Sequence, residues 1–299
     1  MMYIRQKGID VLCLQDTRLT EKDSKRLASR VREGFKDNVQ VRIAPIHDNH
    51  MGREGKVGGQ FIIIRGRWAA AIFNFTKDNT GLGVLTSISL RAPHKKDILI
   101  LSSYWPVPAS TTDSKDRLWN KVQAKLTRWR DDGSPLDFIQ DLIESRLAKH
   151  LRKDKDNMAI LVGDLNSTWK VQSNGGAHHH LQSWATNSSW DNPLAMECDK
   201  SHTPIFTHWL GIHEGEGIKH IGVSWIDHIL INRQGGMTFV RGGSETGGHW
   251  IANSDHRPLW LDVLFPGGSP ADHSQTRKFP EGANSNVRTG GKSKTSGKN

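Results

Sequence analysis

Four short acidic segments are the parts of this sequence whose residue types could do chemistry. The segments LQDTR (14–18) and VGDLN (162–166) each follow an apolar run, and SDHRP (254–258) comes just before another. The fourth segment, SWIDHI (224–229), places its acid inside a run that otherwise has the composition of a core strand. Because side chains at strand ends can converge on one rim of a sheet, the segments could form a single site.

The cost of burying charge decides how these acids are interpreted. A carboxylate in an apolar strand is costly to bury unless it is paired or binds a metal. Taken alone, Asp227 is better explained as a structural acid whose hydrogen bonds are satisfied. Four such segments favour a shared site, so we expect its members to lie in one pocket: Asp16, Asp164, Asn166, Asp227, Asp255 and His256.

The elements that must position these residues are short apolar runs bounded by glycine, proline or charge. These runs predict strands at 10–15, 39–44, 60–65, 68–75, 84–91, 97–104, 158–163, 224–232 and 258–264. Helices are predicted at 21–33, 114–130 and 136–151, the last preceded by a serine N-cap and a first-turn proline. Many strands with few helices between them predict an α/β protein of two packed sheets with helices outside.

Composition predicts one folded domain and a tail. No linker or repeat interrupts residues 1–265, which we assign to the domain, whereas residues 266–299 are rich in Gly, Ser, Asn and Lys. We expect that basic tail to be disordered, because it has too few apolar residues to offset its ordering entropy. The net charge of +10 suits a polyanionic partner, although ordinary solubility explains part of it.

Targeting and redox features indicate an intracellular protein. No signal peptide is visible at the N-terminus, and no run approaches the roughly 20 apolar residues of a membrane span. The chain has only 2 cysteines, Cys13 and Cys198, so we expect no disulfide and no membrane partner. The nucleus is one candidate compartment, and we take the chain as a monomer.

Five segments together resemble the endonuclease/exonuclease/phosphatase superfamily, which includes DNase-I-like nucleases, apurinic endonucleases and inositol-phosphate phosphatases. They are LQDTR (14–18), SYWP (103–106), GDLN (163–166), IDHIL (226–230) and SDH (254–256). Each is a common pattern alone, but all occur in the superfamily's order. Within the superfamily the chain is most similar to endonuclease domains of non-LTR (LINE-type) retrotransposons. The resemblance implies a four-layer α/β/β/α sandwich and a Mg²⁺-dependent phosphodiesterase that nicks DNA, with DNA favoured over RNA.

The resemblance also implies a metal site and a base. Asp16 and Asp255 would hold Mg²⁺ or Mn²⁺, because hard cations prefer carboxylate oxygen. The metal would act as a Lewis acid and stabilise the leaving group. Asp164 would orient and deprotonate the attacking water.

The remaining assigned residues would contact the phosphate. Asn166 would donate a hydrogen bond to a non-bridging oxygen, and Tyr104 would contact the phosphate or assist the leaving oxygen. His256, held in tautomer and charge by Asp227, would stabilise the negative charge that develops on the phosphorane.

Two departures from the superfamily pattern keep other functions open. The superfamily usually has Glu where this chain has Asp16. It also begins with a strand whose Asn lies beside the metal, whereas residues 1–8 here look like the helix after that strand. We therefore expect the first strand to be missing. A catalytically impaired remnant that only binds nucleic acid is one alternative, and an inositol-phosphate or lipid-phosphate phosphatase of the same superfamily is another.

Two further residue sets have weaker interpretations. The histidines of 178–180 with Cys198, His202, His208 and His213 could suggest zinc, but their spacing matches no zinc-ligand pattern. Four tryptophans near the proposed site could stack on bases: Trp105, Trp169, Trp225 and Trp250.

Overall fold

The computed structural model of the protein describes residues 2–35, 38–46, 57–92, 96–108, 117–169, 181–201, 205–214, 217–244 and 256–266. Its helices are α1 Met2–Gln6, α2 Glu21–Gly34, α3 Arg67–Ala70, α4 Leu118–Trp129, α5 Pro135–Leu151, α6 Leu181–Asn187 and α7 Pro193–Ser201. Its strands are β1 Val11–Gln15, β2 Val39–Ala44, β3 Gln60–Arg65, β4 Ile72–Lys77, β5 Leu85–Arg91, β6 Asp97–Tyr104, β7 Met158–Asp164, β8 Trp190–Asp191, β9 His208–Glu214, β10 Gly217–Ser224, β11 Asp227–Asn232, β12 Thr238–Ser244 and β13 Leu259–Leu264.

The strands form one large sheet and three smaller groups. The large sheet has six strands in the order β4-β5-β6-β7-β11-β8, and β6 and β7 are its parallel neighbours. A second sheet has the order β1-β3-β2, β12 pairs with β13, and β9 pairs with β10 as a hairpin. The parallel pair brings the ends of β6 and β7, Tyr104 and Asp164, into register at one rim.

Alternating side chains create the layers. In β3, Phe61 and Ile63 pack in a cluster with α2, whereas Ile62 and Ile64 pack against the large sheet. This is the period of two that a strand buried on both faces requires. The opposite face of the large sheet packs on α4 and α5 through buried leucines and isoleucines. The order of layers is therefore helix, sheet, sheet, helix, which confirms the predicted α/β/β/α sandwich.

Local sequence explains the best-predicted helix. Ser134 accepts a hydrogen bond from the backbone of Asp137, whose carboxylate in turn accepts one from the Ser134 backbone, and Pro135 opens the first turn. This reciprocal cap satisfies donors that the helix leaves unpaired. Both predicted features of the start of α5 are confirmed.

Other predicted boundaries are wrong for identifiable reasons. Residues 68–75 were expected to be one strand, but α3 occupies their first part because Gly66, at φ +58°, turns the chain before β4. The strand expected at 224–232 is divided between β10 and β11. The helix expected at 114–130 is α4, which begins at Leu118 and ends at Trp129.

Two strands have an open edge. Among the described residues, β1 pairs only with β3 and β13 pairs only with β12. β1 packs on β6 and β7, and β13 packs on β11, the next strand of the large sheet. Every residue of β1 and β13 is half-exposed, although both strands are mostly apolar. The open edges of β1 and β13 therefore lie in one layer, beside the large sheet.

We predict that an added strand stabilises the protein at these edges. An N-terminal extension with alternating Val and Thr and one Asn should pair with β1 and β13, because it satisfies their backbone groups and covers apolar side chains. Each kcal/mol gained should raise the melting temperature by roughly 2–4 °C. An extension of equal length with proline at every second position is the control, since proline cannot donate to a ladder. Equal melting temperatures for both extensions would contradict the prediction.

Candidate active site

Asp16 is fixed by a turn immediately after β1. Its backbone has a φ of +46°, a left-handed conformation that a side chain rarely adopts. Its Oδ1 accepts a hydrogen bond from the Gly58 amide at 2.6 Å, and its Oδ2 accepts one from the Arg18 guanidinium at 2.8 Å. The Arg18 amide donates back to the Gly58 carbonyl at 2.9 Å. These contacts hold the carboxylate at the rim against the segment that leads into β3.

Gly58 is required by two features of that segment. Its φ is +86°, and a Cβ added to it would lie 2.2 Å from the Leu82 carbonyl oxygen. Gly59 beside it donates its amide to the same carbonyl at 2.9 Å. Only glycine lets the backbone approach this closely, so the position of the amide that binds Asp16 depends on Gly58.

Asp164 ends β7, and Asn166 lies in the tight loop that follows. Gly163 allows β7 to lie close to β6, because a Cβ there would lie 1.9 Å from the Ser103 carbonyl oxygen. Asn166 has a φ of +44°, and its amide donates to Asp164 Oδ1 at 3.1 Å. Its side-chain Nδ2 donates to the Trp105 carbonyl at 2.7 Å. Asp164 itself is only 9% exposed.

Asp227 lies opposite Asp164 and binds a histidine. The two acids are partners in the antiparallel register of β11 and β7. Asp227 Oδ2 accepts a hydrogen bond from His256 Nδ1 at 2.8 Å, which fixes the imidazole next to the acids. Ligand atoms of Asp164, Asp227 and His256 all lie within 4.8 Å of one another.

A buried threonine holds this pair in place. Thr207 is fully buried, and its Oγ1 accepts hydrogen bonds from the amides of Ile226 and Asp227, each at 3.1 Å. Its carbonyl accepts the amide of Arg257 at 2.7 Å. One residue thus ties the start of β11 to the segment that carries His256.

Burial and neighbouring negative charge raise pKa values at the rim. Burial raises the pKa of Asp164, the neighbouring Asp227 carboxylate raises it further, and His256 opposes the shift. Burial likewise raises the pKa of Asp16, against the opposing effects of the Gly58 amide, Arg18 and His256. Tyr104, whose side chain hydrogen-bonds Asn166, has a raised pKa because of burial and the nearby Asp16 and Asp164 charges. The rim therefore concentrates negative charge that a cation would relieve.

The donor set fits a hard divalent cation. Asp16, Asp164 and Asp227 bring carboxylate oxygens to one rim, and Mg²⁺ prefers such oxygen ligands. Among the described residues, the group of potential ligands with metal-like spacing is Asp164, Asp227 and His256. Of the proposed zinc set, residues 178–180 and His202 lie outside the described residues.

The structure brings most of the expected site residues together. Asp164, Asp227 and His256 are in direct proximity, and Asp16, Tyr104 and Asn166 are coupled to them by charge or hydrogen bonds. Asp255 and Trp250 lie outside the described residues, as does the tail from 267 onward.

The tryptophan interpretation is wrong for Trp105. Its side chain is 1% exposed and meets Trp184 edge to face at 5.2 Å, so it is a core residue. Trp225 stacks on His228 with ring centroids 5.3 Å apart, and Trp169 lies 6.3 Å from the same ring.

Several residues at the site were not found from the sequence. Thr207 has no distinguishing pattern, and His208 was considered only for zinc, yet its ring lies 5.3 Å from that of His256. Their segment is far from residue 256 along the chain, and the bridge between His208 and His256 and the bond from the Arg257 amide to Thr207 bring the two segments together.

Comparison with known proteins places this geometry in a fold family. No family model and no curated protein matches the sequence. Among solved structures, the chain is similar to an endonuclease/exonuclease/phosphatase from Beutenbergia cavernae, with 14% identity, a TM-score of 0.53 and 88% of this chain covered. It spans 64% of that chain, just under two thirds of its length. The fold is DNase-I-like.

Two further structures support the assignment of this DNase-I-like fold. The 3′ phosphatase NExo from Neisseria, bound to a product DNA hairpin, has 13% identity and a TM-score of 0.54, with 86% of this chain and 89% of that chain covered. An AP endonuclease from Archaeoglobus fulgidus has 15% identity and a TM-score of 0.51, with 89% and 92% covered. Identities this low establish the fold and not the activity. None of the described helices is both long and apolar enough to cross a bilayer.

We predict that Gly58→Ala weakens cation binding through Asp16. The new methyl group meets the Leu82 carbonyl, so the amide that binds Asp16 must move. Gly66→Ala is the matched control, because Gly66 also has a positive φ but has nothing within 4 Å of its Cβ position. Both variants should lose about 1–3 kcal/mol of stability from backbone strain. Calorimetric Mn²⁺ titration should show weaker binding only for Gly58→Ala, and equal affinities would contradict the role given to this turn.

We also predict that Asp164→Asn changes how stability depends on pH. The folded-state pKa of Asp164 is raised above its unfolded value, so its contribution is fully present at acidic pH and is lost as pH rises through the raised pKa. In EDTA, the free energy of unfolding should therefore fall less for Asp164→Asn than for wild type between mildly acidic and mildly alkaline pH.

Asp154→Asn is the control for that comparison. Its hydrogen bond with Lys96 lowers the pKa of Asp154, so its removal should not reproduce the effect at higher pH. Parallel stability curves for wild type and Asp164→Asn would show that the carboxyl is not perturbed by burial as described.

Proposed function

We propose that the protein is a Mg²⁺-dependent or Mn²⁺-dependent phosphodiesterase that nicks DNA. The observation that carries the proposal is the Asp227–His256 pair facing the buried Asp164 across β11 and β7. This arrangement supports the proposal, because the proposed base, an oriented imidazole and a second carboxylate lie within 4.8 Å of one another.

Asp164 is the proposed base. Burial and the Asp227 charge raise its pKa, which brings the carboxyl closer to the working pH at which a general base is most effective. The Asn166 amide, bound to Asp164 Oδ1, leaves the second carboxylate oxygen to accept a proton from water. Asp16 and Asp255 are the proposed cation ligands, and a bound cation would supply Lewis-acid stabilisation of the phosphate.

His256 and Asn166 are the proposed phosphate contacts. Because Nδ1 of His256 binds the Asp227 carboxylate, the imidazole is fixed in orientation, and its Nε2 is the proposed contact for a developing negative charge. Asn166 Nδ2 donates one N–H to the Trp105 carbonyl, and its second N–H, which lies beside Tyr104, is the proposed donor to a phosphate oxygen. Tyr104 is held beside it through the side-chain hydrogen bond to Asn166.

DNA is the proposed substrate class. The Neisseria neighbour is a 3′ phosphatase bound to a DNA hairpin and the Archaeoglobus neighbour is an AP endonuclease, so similar folds act on DNA. The net charge of +10 supports a polyanionic substrate. A relationship to LINE-type endonuclease domains rests on the five segments and their order.

A protein that only binds nucleic acid is the second candidate. The specific observation that favours it is that both oxygens of Asp16 already accept hydrogen bonds, from Gly58 and Arg18.

We predict that supercoiled plasmid and abasic duplex DNA are nicked with Mg²⁺ or Mn²⁺ and not with EDTA. Asp164→Ala and His256→Ala should each lower the rate by roughly 10²-fold or more, because each removes a base or a charge stabiliser. Asp154→Ala, on the surface at the opposite end of β7, is the control and should keep the wild-type rate.

The outcomes separate the candidates. EDTA-resistant nicking, or wild-type rates in both variants, would overturn the mechanism. Salt-sensitive DNA binding without any cleavage would identify the binding-only protein. Release of phosphate from an inositol phosphate, with DNA left intact, would identify the phosphatase.

A further inference from the structure

His228 is a buried histidine that the proposed mechanism does not use. It follows Asp227 in β11 and is 1% exposed. Its Nε2 lies 2.8 Å from the Ser167 carbonyl oxygen, and its Nδ1 lies 3.2 Å from the Asn192 side-chain nitrogen. Both ring nitrogens are thus occupied, and the two partners belong to different parts of the chain.

The partners fix the tautomer of the ring. A carbonyl can only accept, so Nε2 carries the proton that is donated to Ser167. The Asn192 Oδ1 accepts the Ala195 amide at the start of α7, which leaves its Nδ2 facing the ring as a donor. Nδ1 of His228 is therefore an acceptor and the imidazole is neutral. Burial agrees with this, since it lowers the pKa of His228 to about 4.

The bond to Ser167 lies at a strained point of the catalytic loop. Asn166, one residue before, has a φ of +44°. Such a conformation persists only where its surroundings hold it. On one side the loop is held by the Asn166 side chain on the Trp105 carbonyl and by the Leu165 amide on the Ile226 carbonyl at 3.0 Å. At its other end, the loop is held by the hydrogen bond that His228 donates to the Ser167 carbonyl.

The face of the His228 ring packs against a tryptophan. Trp225 stacks on His228 with an interplanar angle of 26°, and its Nε1 donates to the Asp227 carbonyl at 2.7 Å. His228 is thereby connected, through Trp225, to the backbone of Asp227 and, through Ser167, to the loop that follows Asp164.

We infer that His228 is a positioning residue that holds the loop from Asp164 to Ser167 against Asp227, through its Nε2–H bond to the Ser167 carbonyl. The inference rests on the proposed function, because the positioned groups are the proposed base and phosphate donor. Small displacements of such groups reduce catalysis strongly, by about 10²-fold for a shift near 1 Å.

The chain offers a matched control in His150. This buried histidine, 5% exposed, also bonds a backbone carbonyl through Nε2, that of Met158 at 3.0 Å. Met158 begins β7, whereas Asp164 ends it. His150→Leu therefore removes the same kind of bond far from the site, and it reports the effect of lost stability alone.

The test compares His228→Leu, His228→Gln and His150→Leu in the full chain. Nicking of an abasic duplex with Mg²⁺ gives kcat and KM, and amide hydrogen exchange reports the order of Leu165 and Asn166. We expect His228→Leu to lower kcat by about 10- to 100-fold with KM near wild type. His228→Gln, which keeps an N–H donor, should recover much of that loss, and His150→Leu should keep the wild-type kcat.

Each outcome decides the inference. A kcat for His228→Leu no lower than that of His150→Leu overturns it, and so does a glutamine variant as impaired as the leucine variant. If the wild type does not cleave DNA, the proposed function fails. The positioning role of His228 is then tested by hydrogen exchange alone. Faster exchange at Leu165 and Asn166 only in His228→Leu supports the positioning role, whereas equal exchange in both leucine variants contradicts it.

Discussion

Two carboxylates face each other across β7 and β11, and the rest of the rim is organised around that pair. Asp164 and Asp227 are register partners, so their negative charges are held close together where little water reaches Asp164. Such a pair is unfavourable unless a proton, a histidine or a cation compensates it. The structure supplies the histidine through His256, and Asp16 brings a further carboxylate to the same rim.

Backbone geometry is adapted to that constraint. Gly163 and Gly58 allow approaches that any side chain would block, and Asp16 and Asn166 adopt positive φ values. These strained residues stand at the turns that direct each functional group towards the rim, where strain is commonly found in sites that need exact orientation. Apolar packing on the two faces of the large sheet offsets the cost of these strained turns, because it fixes the strands from which the turns project.

The sequence predicted the layers and the acids better than it predicted the supporting contacts. The apolar run of β3 and the cap of α5 are local signals, and both were interpreted correctly. Trp105 was misplaced, because aromatic type alone does not distinguish a core residue from a stacking surface. The bonds from Thr207 and from His228 join segments that lie far apart in the sequence, so no local spacing reveals them.

The central claim is that the rim holds a divalent cation next to Asp16 and Asp164, two carboxyls whose pKa values are raised by burial. Cation binding should then displace protons near neutral pH. Calorimetric titration of Mn²⁺ into the metal-free protein, repeated in buffers of different ionisation enthalpy, measures that release directly. Saturable binding with net proton release is the predicted result. Absence of saturable binding, or binding that releases no protons, would contradict the account.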